Sequence, residues 1–290
     1  MSTVEQATPE ALPAAAGAAQ LTGDQARAEQ VAARRRWRRQ WQIIGVRLAS
    51  LAIVLSIWQV LGARVDPILF TTPSKIVLAA VVMVGSGELW TYLAPSLVVL
   101  GIGMAFAVVL GISIGLMLAR FWLLDVALGV YITFLYSIPS VALVPLIVLW
   151  AGFEMTAKVV ILFLFAFFPM VINTHQGVKN VDPKLIEVGR AFRCSEWQLW
   201  ANIVLPAALP FIVTGLRLAV GRGLIGMVLA DLYTAISGIG YLIVRTASTY
   251  QVDKMFVPIV TLGLLGVSLT ALLRLCETYV APWTANSQND

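Results

Sequence analysis

The chain has 290 residues, 59% of them hydrophobic and only 12% charged, with a mean hydropathy of +0.87. Soluble domains carry about 25% charged residues, so a soluble globular fold is excluded. A β-barrel is excluded as well, because it would read as short segments of alternating hydrophobicity. The net charge of +5 and pI near 9.4 fit Lys and Arg that orient a chain in the lipid bilayer, and no nucleic-acid partner is expected.

Stretches of roughly 20 apolar residues suffice to cross a hydrocarbon core about 30 Å thick. Several occur, so the expected fold is all-α: a polytopic membrane protein with about six spans. Residues 1–40 form an expected cytoplasmic tail, disordered over its Ala-, Gln- and Glu-rich first 33 residues. The tail ends in the basic cluster RRRWRR, Arg34 to Arg39. It lacks the short basic start and apolar core of a signal peptide. A transmembrane domain is then expected over residues 41–280, with its first span at 43–62. Pro67 and Pro73 interrupt the next stretch, and Pro73 to Val84 reads as a short amphipathic or interfacial helix, too short to cross.

The second span, 93–118, carries Gly111 and Gly115, a small-xxx-small pair that lets helices approach closely. The third, 126–150, contains Pro139 and Pro145 and is expected to be kinked or broken. Such breaks persist only where neighbouring helices or a cavity satisfy the freed backbone groups. A fourth span at 159–172, a polar segment at 174–210, spans at 211–233 and 256–275, and a cytoplasmic tail at 281–290 complete the chain. Cys194 and Cys276 are too dispersed for a disulfide framework, and His175 has no His or Cys neighbour at metal-ligand spacing.

Charge sets the expected topology. With the N-terminus inside, the inner regions collect Arg27, five arginines of the 34–39 cluster, Arg120, Lys179, Lys184, Arg190, Arg193 and Arg274. The outer regions keep Arg64, Lys75, Lys158, Arg245 and Lys254, a bias of twelve to five. Both termini and the 174–210 segment are therefore placed in the cytoplasm.

That segment, EVGRAFRCSEWQLWANIVLPAALP over 187–210, reads as two short helices. Pro183 suits a helix start, since it lacks the N–H the first turn leaves unpaired. Leu185, Val188 and Phe192 then share one face, from which Ile186, Arg190 and Arg193 turn away. Ser195 is placed as the N-cap of a second helix running to about Val204, with Trp197, Trp200 and Ile203 or Val204 on one apolar face. Leu205-Pro206 and Leu209-Pro210 are expected to end it. The residues alone leave two readings open: a helix lying in the headgroup layer, or a docking element for a cytoplasmic partner.

The segment resembles the EAA loop of ABC importer membrane subunits, whose pattern is E-A-A, three residues, G, nine residues, I-x-L-P. Glu187 stands at the Glu position, Val188 and Gly189 at the two Ala positions, and Arg193 where Gly is usual. Ile203, Leu205 and Pro206 fall at the expected spacing. The stretches IPSVALVPLIVLWAGFEMTAKVV and LPAALPFIVTGLRLAVGRGLIGMVLADL are similar to those of nitrate/sulfonate/taurine-type permeases, and the likeness covers roughly residues 45 to 280.

The resemblance implies the transmembrane domain of a type I ABC importer, multi-pass in a bacterial inner membrane. It also implies two ATP-binding cassette subunits, a second permease copy as a homodimer, and an external substrate-binding protein. Cargo would be a small, anionic solute. By the same resemblance Glu187 fixes the docking helix, and Ala191 and Phe192 supply apolar contact. Arg193 in place of glycine is expected to force another backbone path or a side-chain brace.

No G-x-x-x-x-G-K-[ST] phosphate loop occurs. The chain is therefore expected to bind no cofactor and to leave ATP and Mg to the partner ATPase. A secondary transporter or channel would explain the spans but has no need of the 187–206 pattern. Within the fifth span, Arg222 falls near mid-depth and Asp231 near the outer end. With Pro139 and Pro145 they are the expected pathway or gate positions, the alternative for Arg222 being a buried structural pair or a side chain that snorkels to the interface.

Overall fold

The computed structural model describes the backbone of residues 11–280 and the side chains of residues 37–275. It divides into two compact units, one ending at Arg64 and the other beginning at Val65, where the sequence suggests one domain over 41–280. The first unit is a single helix, α1 (Ala11–Gly62), whose part Trp37–Gly62 is long and apolar enough to cross a membrane. Residues 11–33, expected as a disordered tail, are helical in backbone. Ala, Gln, Glu and Arg have high helix propensity, and they outnumber Gly17 and Gly23 in this stretch. The remainder of the expected tail, residues 1–10, and the tail at 281–290 lie outside the described residues.

In the second unit, α2 (Pro73–Gly85) starts with Pro73 in the first turn after an extended Thr72. It buries Ile76, Ala79 and Met83 on one face and packs against α11 (Val252–Val280). The centre is a three-helix core of α3 (Glu88–Arg120), α6 (Met155–Lys179) and α9 (Leu205–Thr234). Val99, Leu100, Ala107, Leu162, Met170 and Ile212 are among the residues buried between them. Helix association in lipid depends on close packing rather than on a hydrophobic force, and the α3–α6 seam meets that need with glycine. A Cβ on Gly115 would lie 2.7 Å from the Thr174 Cβ and 2.8 Å from the Val171 carbonyl oxygen, and one on Gly111 would lie 2.5 Å from the Met170 Cβ.

The expected third span is two helices, α4 (Trp122–Ser137) and α5 (Ser140–Ala151), bent by 96°. The break falls at Ile138-Pro139. Ile138 is extended (φ −69°, ψ 129°), as the residue before a proline must be, and Pro139 then opens α5. Pro145 lies inside α5 without ending it. The described residues thus contain five helices able to span, or six when the bent pair counts as one.

Helix ends overrun the apolar windows. The span expected at 93–118 is α3 from Glu88 to Arg120, and that expected at 159–172 is α6 from Met155 to Lys179. Beyond the hydrocarbon a helix continues with polar residues, which an apolar window does not register.

Candidate functional site

Between α6 and α9 the chain forms a compact double turn. Helix α7 (Pro183–Ala191) begins at Asp182, whose side chain accepts from the Lys184 N–H at 2.9 Å. Helix α8 (Glu196–Leu199) begins at Ser195 with a full capping box. Ser195 Oγ accepts from the Gln198 N–H at 3.3 Å, and Gln198 Oε1 accepts from the Ser195 N–H at 2.9 Å. Such reciprocal caps satisfy two donors that a helix start leaves unpaired.

The second short helix does not end at Leu205-Pro206. A π turn, Trp200–Val204, carries α8 directly into α9, making one helix of 39 residues from Glu196 to Thr234. The Leu205 N–H donates to the Trp200 carbonyl, five residues back. The ladder has therefore already slipped register where Pro206, which has no N–H, must fit. Pro206 then occupies the first turn of α9, and Pro210 lies within it.

Helix α7 is held to this long helix by its inner face. Gly189 is buried, and a Cβ there would meet the Ile203 Cδ1 at 2.7 Å. Ile186 packs with Val181, Leu199 and Val204. Trp197, expected on the same apolar face as Trp200, points away and is 81% exposed. The buried side of this helix is formed by Leu199 and Val204, with Trp200 packed against them.

Arg193 takes the path expected of glycine. Its φ is +55°. The Cys194 N–H donates to the Gly189 carbonyl at 3.1 Å and the Arg193 N–H to the Arg190 carbonyl at 2.9 Å, the pair of bonds that closes a helix through a left-handed residue. No other backbone route is used, because these two bonds and the Ser195 cap that follows outweigh a left-handed Cβ penalty of about 1–2 kcal/mol. Arg193→Gly is therefore expected to raise stability by about 0.5–1 kcal/mol, net of the greater freedom of unfolded glycine. A thermal-unfolding midpoint of the full chain in micelles that stays put or falls would show that the guanidinium braces the turn.

The outer face is bare. Leu185, Val188 and Phe192 are all exposed, Phe192 at 80%, with Glu187 and Ala191 beside them. Among the described residues Glu187 has no hydrogen bond or ion pair. Next to this face, Arg120 bonds Glu196 at 3.0 Å and stacks over Trp200 at 5.6 Å. They line a groove of about 360 Å³ with Leu116, Phe121 and Trp197.

The span residues separate into two settings. Asp231 is fully buried and paired with Lys158 at 2.8 Å. Lys158 also donates to the Ser237 carbonyl at 2.5 Å, and Ser96 donates to Asp231 at 2.5 Å while accepting from the Ile239 N–H at 2.8 Å. Arg222 is exposed, with its guanidinium carbon 4.9 Å from the centre of the Tyr136 ring. An arginine at mid-span costs about 2.5–3.5 kcal/mol on insertion scales. Tyr136 lines a cavity of about 930 Å³ between α4 and α6. At one end of that cavity Asp125 meets both Lys179 and His175, whose Nε2 lies 2.9 Å away.

Lys158, Ser96, Tyr136 and the Asp125–His175–Lys179 group are absent from the sequence-based set of site residues. Lys158 and Asp231 carried one usable signal, as opposite charges at the same end of two antiparallel spans. His175 and Lys179 carried another, the i,i+4 spacing that puts both on one helix face. Pro139 marks the α4–α5 break; Pro145 lies six residues further on, within α5.

Residues 107–285 match the family described as binding-protein-dependent transport system inner membrane component. A Bacillus subtilis (strain 168) protein named as the aliphatic sulfonates transport permease, SsuC, is 34% identical over 234 residues, covering 80% of this chain and 85% of that protein. The taurine transport system permease protein TauC of Escherichia coli (strain K12) is 26% identical, covering 88% and 96%. Among solved structures, that of an amino acid ABC transporter with histidines superposes at a TM-score of 0.53 over 70% of this chain and 97% of that one. Its identity is 17%, so that likeness concerns the fold.

Proposed function

Since the chain belongs to the family of binding-protein-dependent transport system inner membrane components, the membrane-spanning permeases of ABC importers, we propose that residues 187–206 are the handle by which a separate ATPase drives it. The supporting observation is the bare Leu185–Val188–Phe192 face, carried on a helix whose other side is clamped by Gly189 and Ile186. An exposed apolar face within the spans is covered by lipid, but this one stands on a capped helix between charged residues, outside any apolar span. Such a face calls for a protein partner.

The handle is rigid in the direction that matters. Because α8, the π turn and α9 are one helix, displacement at Glu196 is passed along the helix that carries Arg222 and Asp231. In this reading two ATPase subunits, which use ATP and Mg, close on two permease copies and rock their bundles between inward- and outward-facing arrangements. Nucleotide then biases a bistable element. An external binding protein delivers the cargo. The relatives named for aliphatic sulfonates and taurine favour a small sulfonate or similar anion. Both termini and α7 lie on the cytoplasmic side of the inner membrane, in keeping with the charge bias.

The direct test is co-purification from the native membrane. A stoichiometric ATPase subunit is expected in the eluate, with two permease copies per complex. A secondary transporter or channel would bring down no ATPase, and that outcome would overturn the reading.

A further inference from the structure

Among the described residues, several ionisable groups of the bundle are paired with one another. Asp231 is closed by Lys158, Asp125 by Lys179 and His175, Arg120 by Glu196, and Arg245 by Glu88 at 3.6 Å. Arg222 sits eleven residues from each end of the 211–233 stretch (222 − 211 = 233 − 222 = 11), about 16 Å from either end at ~1.5 Å per residue. Among the described residues no carboxylate pairs with it, and its contact is the Tyr136 ring.

That contact leaves the guanidinium available. A cation–π contact satisfies no N–H donor with an oxygen, and no acceptor oxygen meets this guanidinium among the described residues. The edge therefore stays free for a planar or pyramidal set of oxygens, and a bidentate oxyanion is the ligand such a fork matches best. Tyr136 has a second role, since it lines the 930 Å³ cavity, as do Val126, Val130 and Ile172. Through its contact with Tyr136, Arg222 thus stands beside a chamber that is mostly apolar, with Asp125, His175, Gln176 and Lys179 among its polar residues. The one carboxylate in the chamber lining, Asp125, is already paired with the Lys179 ammonium and bonded to His175, so it offers little repulsion to an incoming anion.

We infer that Arg222 and Tyr136 form a cargo-binding position in the membrane, where the guanidinium holds a sulfonate headgroup and the α4–α6 chamber takes its alkyl tail. This rests on the reading of the chain as a permease for small anions, and it deepens that reading by assigning the group that recognises the charge. Tyr136 acts as a positioning residue: its ring holds the guanidinium beside the chamber, and its hydroxyl is not required.

The test uses the purified full chain in detergent micelles, at fixed sodium chloride, with butanesulfonate, methanesulfonate and the uncharged butanesulfonamide as probes. Thermal-unfolding midpoints titrated against each probe give apparent affinities. Butanesulfonate is expected to raise the midpoint, methanesulfonate to do so more weakly, and butanesulfonamide not at all. Arg222→Gln should weaken butanesulfonate by roughly tenfold or more, the loss typical of a hydrogen-bonded charge. Arg222→Lys should lie between, Tyr136→Phe should bind normally, and Tyr136→Leu should weaken binding. Lys75→Gln, an exposed change on α2 away from the chamber, should leave the effect in place.

The inference is overturned if butanesulfonate leaves the unaltered chain unmoved, if Arg222→Gln responds equally, or if the amide matches the sulfonate. Should Arg222→Gln not fold, Arg222→Lys and Tyr136→Leu decide the matter by the same measure. A sulfonate response without any co-purifying ATPase would sink the coupling reading and leave this one standing. The reverse pattern would sink this one alone.

Discussion

Replacing Lys158 by Ala is expected to destabilise the chain by about 3–5 kcal/mol, the usual cost of leaving one half of a buried ion pair without the other. The pair qualifies as buried: the Lys158 side chain is 4% exposed and that of Asp231 0%. It is also the centre of a network. Lys158 on α6 reaches Asp231 on α9 and the Ser237 carbonyl in the following turn. Ser96 on α3 reaches Asp231 and caps the Ile239 N–H at the start of α10 (Ile239–Ser248). Three core helices and α10 are thus tied at the end of the bundle away from α7.

Asp231→Asn should cost a similar amount, since it strands the ammonium instead of the carboxylate. The double variant Lys158→Met, Asp231→Leu should recover most of the loss, because apolar replacement of a whole pair is often neutral. A coupling energy of at least about 2 kcal/mol in the double-mutant cycle, measured by unfolding in micelles, is the expected result. Single variants that lose less than about 1 kcal/mol would show that water or another group compensates, and the anchoring role would fail. The depth count along α9 marks Asp231 as a pathway position, but its burial makes stability the first property to measure.

The features legible in the sequence are those set by local rules. Span number follows from runs of apolar residues, the bend at 138–139 from the effect of proline on its predecessor, and the Ser195 cap from a serine just ahead of Glu196 and Trp197. Periodicity also put Leu185, Val188 and Phe192 on one face. It could not say what fills the opposite face, because the Gly189–Ile203 contact joins two helices across a turn. The continuous helix through Pro206 was illegible for a different reason: the π turn redistributes hydrogen bonds over several residues, and no single-residue propensity encodes it. Lys158 with Asp231 lie 73 residues apart, and the partners of Asp125 lie on another helix. Single-chain patterns rank such residues as loop or topology charges until packing brings them together. Arg193 is the opposite case: spacing places it at the turn between the two short helices, and only its left-handed backbone, φ +55°, departs from the expected path.

Phe192→Asp is expected to abolish uptake while leaving the fold intact, and this pairing of outcomes separates a docking residue from a structural one. At 80% exposure Phe192 contributes little to its own chain, so the unfolding midpoint should stay within about ±0.5 kcal/mol of the unaltered protein. In a docked complex the same ring would be an apolar anchor. Replacing it with a carboxylate forces a charge into the contact, a loss of at least about 2 kcal/mol, or roughly thirtyfold in ATPase affinity. Glu187→Ala should act in the same direction and more weakly, as the loss of one exposed charge contact. The measurement combines retention of the ATPase subunit on the purified permease, ATPase stimulation by the loaded binding protein, and uptake in proteoliposomes. Expected are a weakened complex, residual unstimulated ATPase activity and no uptake. Intact retention and uptake in Phe192→Asp would mean that the bare face is covered by lipid headgroups instead, with its neighbour Trp197 in the interfacial aromatic belt.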